Sequence, residues 1–285
     1  LAKIDIEESF RTISHANYIP LIIAFAIFIF AQIISSLRFV YAMRTLNRSI
    51  PLILSIRVHF IGLWFNQLLP SGVGGDIYKV VLLKNYVGLS RATRGTLLDR
   101  ISGLGILMLS ILVLLPAYQV VFNNAAMTLT LGIIALAFFT LIFIAVNFSG
   151  NRILRSKLPR SFGHIFLLLR DISRFKKYKP FYQQFWTSMI VHLNGIIAYT
   201  FIGLSLGVHL NFINYLLLVP LLFLVALLPI SFAGWGVRET GAIALFSLAG
   251  LQPEQAFSMS IIFGLMLICA GMPGGIMLAT YTTHK

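Results

Sequence analysis

Two short stretches of this chain set charged side chains beside residues that break helices. LLPSGVGGDIYK (Leu68–Lys79) holds Pro70, three glycines, Asp76 and Lys79. LLPISFAGWGVRE (Leu227–Glu239) holds Pro229, Gly234 and Gly236 ahead of Arg238 and Glu239. In the first, Ser71, Gly74 and Gly75 permit a tight loop. Asp76 is a favourable N-cap for a helix running through Lys84. The free N–H groups and positive dipole end of such a helix suit a phosphate. Lys79, one turn further on, adds a point charge. In the second stretch Gly234 and Gly236 free the backbone. Arg238 can fork two oxygens of a phosphate or carboxylate. Glu239 can sit in the first helical turn or pair with a base from the first stretch. The competing structural readings are a capped turn at a membrane surface and a local surface ion pair. Charge inside a membrane is expensive, which favours the functional reading.

A third stretch, LLDRISGLG (Leu97–Gly105), carries Asp99 and Arg100. Neighbours on a helix point about 100° apart, so each needs its own partner. Asp99 could hold Lys79 or Arg238. Arg100 can instead snorkel to the interface, as can Arg38 in SSLRFVYAMR. The histidines (His15, His59, His164, His192, His209, His284) show no metal-ligand spacing. His192 with Asn194 reads as interhelical bonding or cavity lining. No HExxH, GxSxG or Walker pattern occurs. With eight acids in all, a hydrolase built on paired carboxylates is hard to assemble.

The elements that must position these residues are apolar. Of 285 residues, 58% are hydrophobic and 11% charged. A soluble domain carries about 25% charged residues, so the chain reads as an all-α polytopic membrane protein. The net charge of +14 comes mostly from short loops, which points to topology and anionic headgroups and not to nucleic acid. Cys269 is the sole cysteine, which excludes an internal disulfide or a thiolate metal site. Spans are predicted over about 18–43, 95–116, 125–148, 185–206 and 254–281, with shorter broken stretches at 58–70 and 212–230. Residues 149–180 hold nine bases and one acid, which predicts a cytoplasmic loop. The bases around 44–57 and 79–94 predict the same side. The chargeless loops at 117–124 and 207–214 are expected outside. By this counting 58–78 and 212–250 are re-entrant helical hairpins from opposite faces. Gly88-Leu89 and Gly250-Leu251 close the two breaks in the same way. The chain then reads as a single transmembrane domain over 1–285. Its two inverted pseudo-repeats lie at about 18–116 and 185–281, joined by 117–184.

LPSGVGGD, LLDRISGL and LPISFAGWGVRE, in that order, resemble the membrane region of the lysylphosphatidylglycerol synthase/flippase family. The likeness runs from Arg38 to Gly275 in a PGG element. It implies a multi-pass protein of the inner (cytoplasmic) membrane that moves an anionic or aminoacylated phospholipid between leaflets. The family motif falls on Gly74, Gly75, Asp76, Lys79, Asp99, Arg100, Gly234, Gly236, Arg238 and Glu239. Lys79 stands where the family often has Arg. Lysyl-lipid members carry an aminoacyltransferase domain after this region, which is not in these residues, and the likeness predicts a further helix upstream of Leu1. No cofactor or metal is implied. The expected partner is an anionic phospholipid headgroup; a second copy of the chain and a separate lipid synthase stay open. The alternative functions are a membrane-embedded transferase on a lipid headgroup or lipid-linked sugar, and a scaffold for a synthase.

Overall fold

A computed structural model describes residues 5–69, 74–148, 167, 170–172, 179–228, 231 and 233–282. The elements formed by the described residues are helices. A short amphipathic helix, α1 (Ile6–Ser14), is capped by Asp5, which accepts from the Glu7 and Glu8 N–H groups. Then come α2 (Tyr18–Thr45), α3 (Leu52–Leu68), α4 (Gly74–Val87), α5 (Leu89–Val113), α6 (Leu115–Phe122) and α7 (Ala125–Phe148). The second half holds α8 (Lys179–Ser205), α9 (Phe212–Ala226), α10 (Val237–Phe246) and α11 (Pro253–Thr282).

Five of these, α2, α5, α7, α8 and α11, are long and apolar enough to cross a membrane. The two broken stretches are different. With 17 residues α3 reaches about 26 Å, and with 15 residues α9 reaches about 23 Å, both short of a hydrocarbon core of about 30 Å. Each is followed by a break and a short helix, α4 or α10. In sequence order α2 to α5 have 28, 17, 14 and 25 residues. The helices α8 to α11 have 27, 15, 10 and 30. Gly88 and Gly250, ahead of the last member of each set, both have positive φ, 82° and 77°, but only Gly250 is in the left-handed helical well, with ψ 13° against 148° at Gly88.

Two expectations change. The span predicted from residue 95 begins at Leu89, because Gly88 provides the turn that ends α4. The segment 117–124, expected as a loop, is mostly α6. Pro116 is preorganised for the first turn of that helix, and the Tyr118 hydroxyl anchors it by donating to the Leu217 carbonyl.

The most extensive contact is α2 against α8, and these run antiparallel. Asn17 N–H donates to the Ser205 carbonyl (2.8 Å) at one end, and Gln184 Nε2 donates to Thr45 Oγ1 (3.1 Å) at the other. Next is α3 against α11. There Gly274 lets the α11 backbone lie on the Phe60 carbonyl: an added Cβ would stand 2.0 Å from that oxygen. Helix α4 packs on both α3 and α5, while α10 packs on α9 and α11. By contrast α7 leans mainly on α5 and exposes Leu129, Ile133, Leu136, Leu141 and Phe143, an apolar surface of the kind a bilayer would cover. One apolar cluster (Phe28, Tyr199, Leu218, Phe246, Met259) joins α2 to α8–α11. Another (Phe39, Met43, Val58, Leu83, Leu98) joins α2 to α3–α5.

Candidate functional site

A cavity of about 400 Å³ opens within the bundle, and both broken stretches reach it. Its walls come from α2, α3, α4, α5, α8, α9, the α9–α10 break, α10 and α11. Arg38, Lys79, Arg100 and Arg238 line it together with Asp76 and Asp99. Charges that are remote in sequence are thus gathered in one place among apolar helices.

Sequence spacing explains how each helix delivers them. Gln32, Ser35 and Arg38 recur every three residues along α2 and all line the cavity. His59, Leu63 and Asn66 do the same along α3 at the four-and-three spacing of one helical face. Among the described residues of the first break, Gly75 is the closest approach. An added Cβ would lie 2.1 Å from the Gly62 carbonyl, so only glycine allows α4 to fold back onto α3. Asn66 Oδ1 then accepts from the Gly75 N–H at 2.7 Å.

The pairing differs from expectation in informative ways. Asp99 was expected to hold Lys79 or Arg238, but its partner is Arg38. The two form a buried fork, with Nε–Oδ1 2.7 Å and Nη2–Oδ2 3.2 Å. Arg38 therefore does not snorkel; it is 9% exposed. Arg100 turns the other way and pairs with Asp76. Asp76 is not an N-cap, since α4 starts at Gly74 and places it in the first turn. Its second oxygen lies 3.6 Å from Lys79 Nζ. Lys79 is buried and also stands 3.4 Å from His59 Nδ1, while His59 Nε2 lies 3.0 Å from Gln32 Oε1. One carboxylate, Asp76, therefore serves two cations.

At the second break Ala233, Gly234 and Gly236 all have positive φ, at 51°, 82° and 83°. An alanine held there is a strained backbone position. Glu239 folds back to accept from the Gly236 N–H. The other Glu239 oxygen takes Arg238 Nη2 at 2.8 Å and the Ser260 hydroxyl at 3.2 Å. Arg238 is 2% exposed and lies over the Trp235 ring at 4.9 Å. The ion pair is local, between chain neighbours, but it is buried and not at the surface. The N–H groups expected to be free for a phosphate are in part engaged, Gly75 by Asn66 and Gly236 by Glu239. Gly234 lines the cavity, whereas Gly74, Gly75, Gly236 and Glu239 do not. Ser71 lies outside the described residues.

His192 both lines the cavity and bridges helices, with Nε2 3.0 Å from the Gly103 carbonyl of α5. Asn194 is half-buried and bonds its own helix at Ile190. The residues not singled out from sequence are Gln32, His59, Asn66 and Ser260. For the three on α2 and α3, the available signal was a polar residue recurring at helical spacing on an apolar helix. Among the described residues no three His, Cys, Asp or Glu side chains converge to hold a metal ion. What the arrangement can do is bind. Four cations face three carboxylates, counting Glu239 behind Arg238, and so carry one excess positive charge.

The family model described as the lysylphosphatidylglycerol synthase TM region matches residues 1–272. A UPF0104 membrane protein of Pyrococcus horikoshii is 24% identical over 287 residues, covering 90% of this chain and 85% of that relative. No solved structure matches the chain.

Proposed function

We propose that this chain, which belongs to the lysylphosphatidylglycerol synthase transmembrane-region family, translocates a phospholipid by seating its headgroup phosphate in the central cavity. The observation that carries this reading is the cavity itself. A space of about 400 Å³ inside a bundle of membrane helices is lined by Arg38, Lys79, Arg100 and Arg238 against two carboxylates. Charges are kept inside a membrane protein where they face a substrate path or one another. Here they do both, and the single excess positive charge suits a phosphodiester.

Lys79 is the group best placed to change partners. Asp76 already has Arg100, so Lys79 can leave it for a phosphate oxygen without stranding a buried carboxylate. Arg238 keeps Glu239 and presents its guanidinium to the cavity from the opposite break. An aminoacyl ammonium on the headgroup would find Asp76 or Asp99. The acyl chains stay in lipid. In this reading α2–α5 and α8–α11 are inverted repeats, and α3–α4 and α9–α10 are re-entrant hairpins. Matched element lengths and the antiparallel run of α2 against α8 support this. Rocking one repeat against the other exposes the cavity to each leaflet in turn.

The test is leaflet exchange of labelled phosphatidylglycerol, with and without a lysyl group, in liposomes holding the full chain. Lys79→Gln removes the mobile charge and leaves Asp76 paired to Arg100, so the fold is kept. Exchange is expected to fall about tenfold, the worth of one charge-assisted contact. Unchanged exchange in this variant would remove the phosphate from the cavity. Product formation without exchange would assign the site to a transferase. Neither activity, with a co-purifying synthase, would make the chain a scaffold.

A further inference from the structure

A second, smaller pocket of about 160 Å³ lies at one end of the bundle, where α2 ends, α5 begins and Arg170–Asp171 come alongside. Arg91, Arg94, Arg170 and Asp171 line it, with Thr45 and Asn47 closing it from the α2 side. Its charge is unbalanced. Three guanidiniums face one carboxylate, and that carboxylate, Asp171, is engaged by Arg94.

The imbalance is costly for two reasons. Arg91 and Arg94 sit in the first two turns of α5, at the positive end of its dipole, and no acid lies in its first turn. Cations at a helix N-terminus are disfavoured. They are also drawn in from solvent: Arg91, Arg94 and Arg170 are each partly buried. The carbonyl end of α2 and the N–H end of α5, roughly half an elementary charge each and of opposite sign, cancel. The pocket lining keeps the excess of three arginines over one aspartate, about two positive charges. The ends of two spanning helices mark the level of the membrane–water boundary, where lipid phosphates lie. Guanidinium forks match phosphate oxygens in geometry as well as charge.

We propose that Arg91, Arg94 and Arg170 form a second anion site that takes the phosphate of an anionic phospholipid headgroup, separate from the central cavity. A phosphate bound there replaces mutual repulsion of the arginines with shared contacts. It fastens the start of α5, the helix that carries Asp99 and Arg100, to the end of α2 and to residues 170–172.

The full chain, purified in detergent and stripped of lipid, is titrated with phosphatidylglycerol, phosphatidylcholine or inorganic phosphate. Thermal melting and native mass spectrometry are read together. Phosphatidylglycerol is expected to stabilise the protein more than phosphatidylcholine does. Arg91 has no carboxylate partner among the described residues, so Arg91→Gln is expected to fold and to weaken the phosphatidylglycerol response about fivefold. Asp171→Asn removes the competing carboxylate and is expected to strengthen it by a similar factor. A merely structural role for the cluster predicts the opposite sign for Asp171→Asn. Lys79→Gln, which alters the central cavity, is expected to leave the Arg91-dependent part intact. Stabilisation by inorganic phosphate but not by phosphatidylglycerol would overturn the lipid as source. Wild-type titration curves in Arg91→Gln would overturn the site.

Discussion

At the scale of residues, the cavity is organised by which carboxylate each cation takes. Arg38 and Asp99 are both buried and make a two-bond fork. Breaking such a pair leaves an uncompensated charge, whereas removing both members is often tolerated. Arg38→Leu and Asp99→Leu are each expected to cost about 3–5 kcal/mol, and the double variant clearly less than either. Unfolding in detergent measures this, and a double variant as damaged as the sum of the singles would refute it. The three-member group Lys79–Asp76–Arg100 is different, because one carboxylate is shared. Losing Lys79 there leaves a satisfied pair, so Lys79→Gln is expected to lower lipid exchange with little loss of stability. Neither set of partners could be assigned from spacing. Arg38 and Asp99 are 61 residues apart, and Arg100 and Asp76 are 24 apart on different helices. Adjacency of Asp99 and Arg100 did say that their partners would differ, since the helix points them apart.

At the scale of elements, the breaks are held in place by close backbone packing. Gly75 touches the Gly62 carbonyl, so Gly75→Ala must push α4 off α3. Overpacking of this kind costs about 1–3 kcal/mol, and it would also move Lys79 away from His59. Gly105, on the neighbouring α5, meets nothing within 4 Å where a Cβ would stand. Gly105→Ala is therefore expected to be neutral or to gain up to about 1 kcal/mol from helix propensity. A lower melting temperature in Gly75→Ala but not in Gly105→Ala checks the contrast; equal melting would show that the α3–α4 contact is slack. The glycines and prolines made both breaks visible in the sequence. Helix α6 was missed because its short, chargeless run between two spans looks like a loop, and its stability comes from the distant Leu217 carbonyl.

At the scale of the whole molecule, the proposed inverted repeats make a prediction about sidedness. Lys84, near the end of α4, and Ser247, after α10, are both exposed. In a Cys269→Ser background, Lys84→Cys is expected to react with a membrane-impermeant thiol reagent from the cytoplasmic side only. Ser247→Cys is expected to react from the opposite side only. Labelling of both from one side would end the inverted-repeat reading and rocking with it. The amino-acid sequence by itself determined that the chain is a membrane protein, that it has five spans and about where they run, where its two breaks fall and which residues carry charge into them. Hydropathy, helix breaking and charge are properties of a residue and its near neighbours, so a single strand of text contains them. Only the tertiary structure decided that the breaks face one cavity, that Arg38 holds Asp99 while Asp76 is shared, and that Arg91, Arg94 and Arg170 converge at one end. Those outcomes depend on which helix faces meet, and that is settled by packing among segments far apart along the chain.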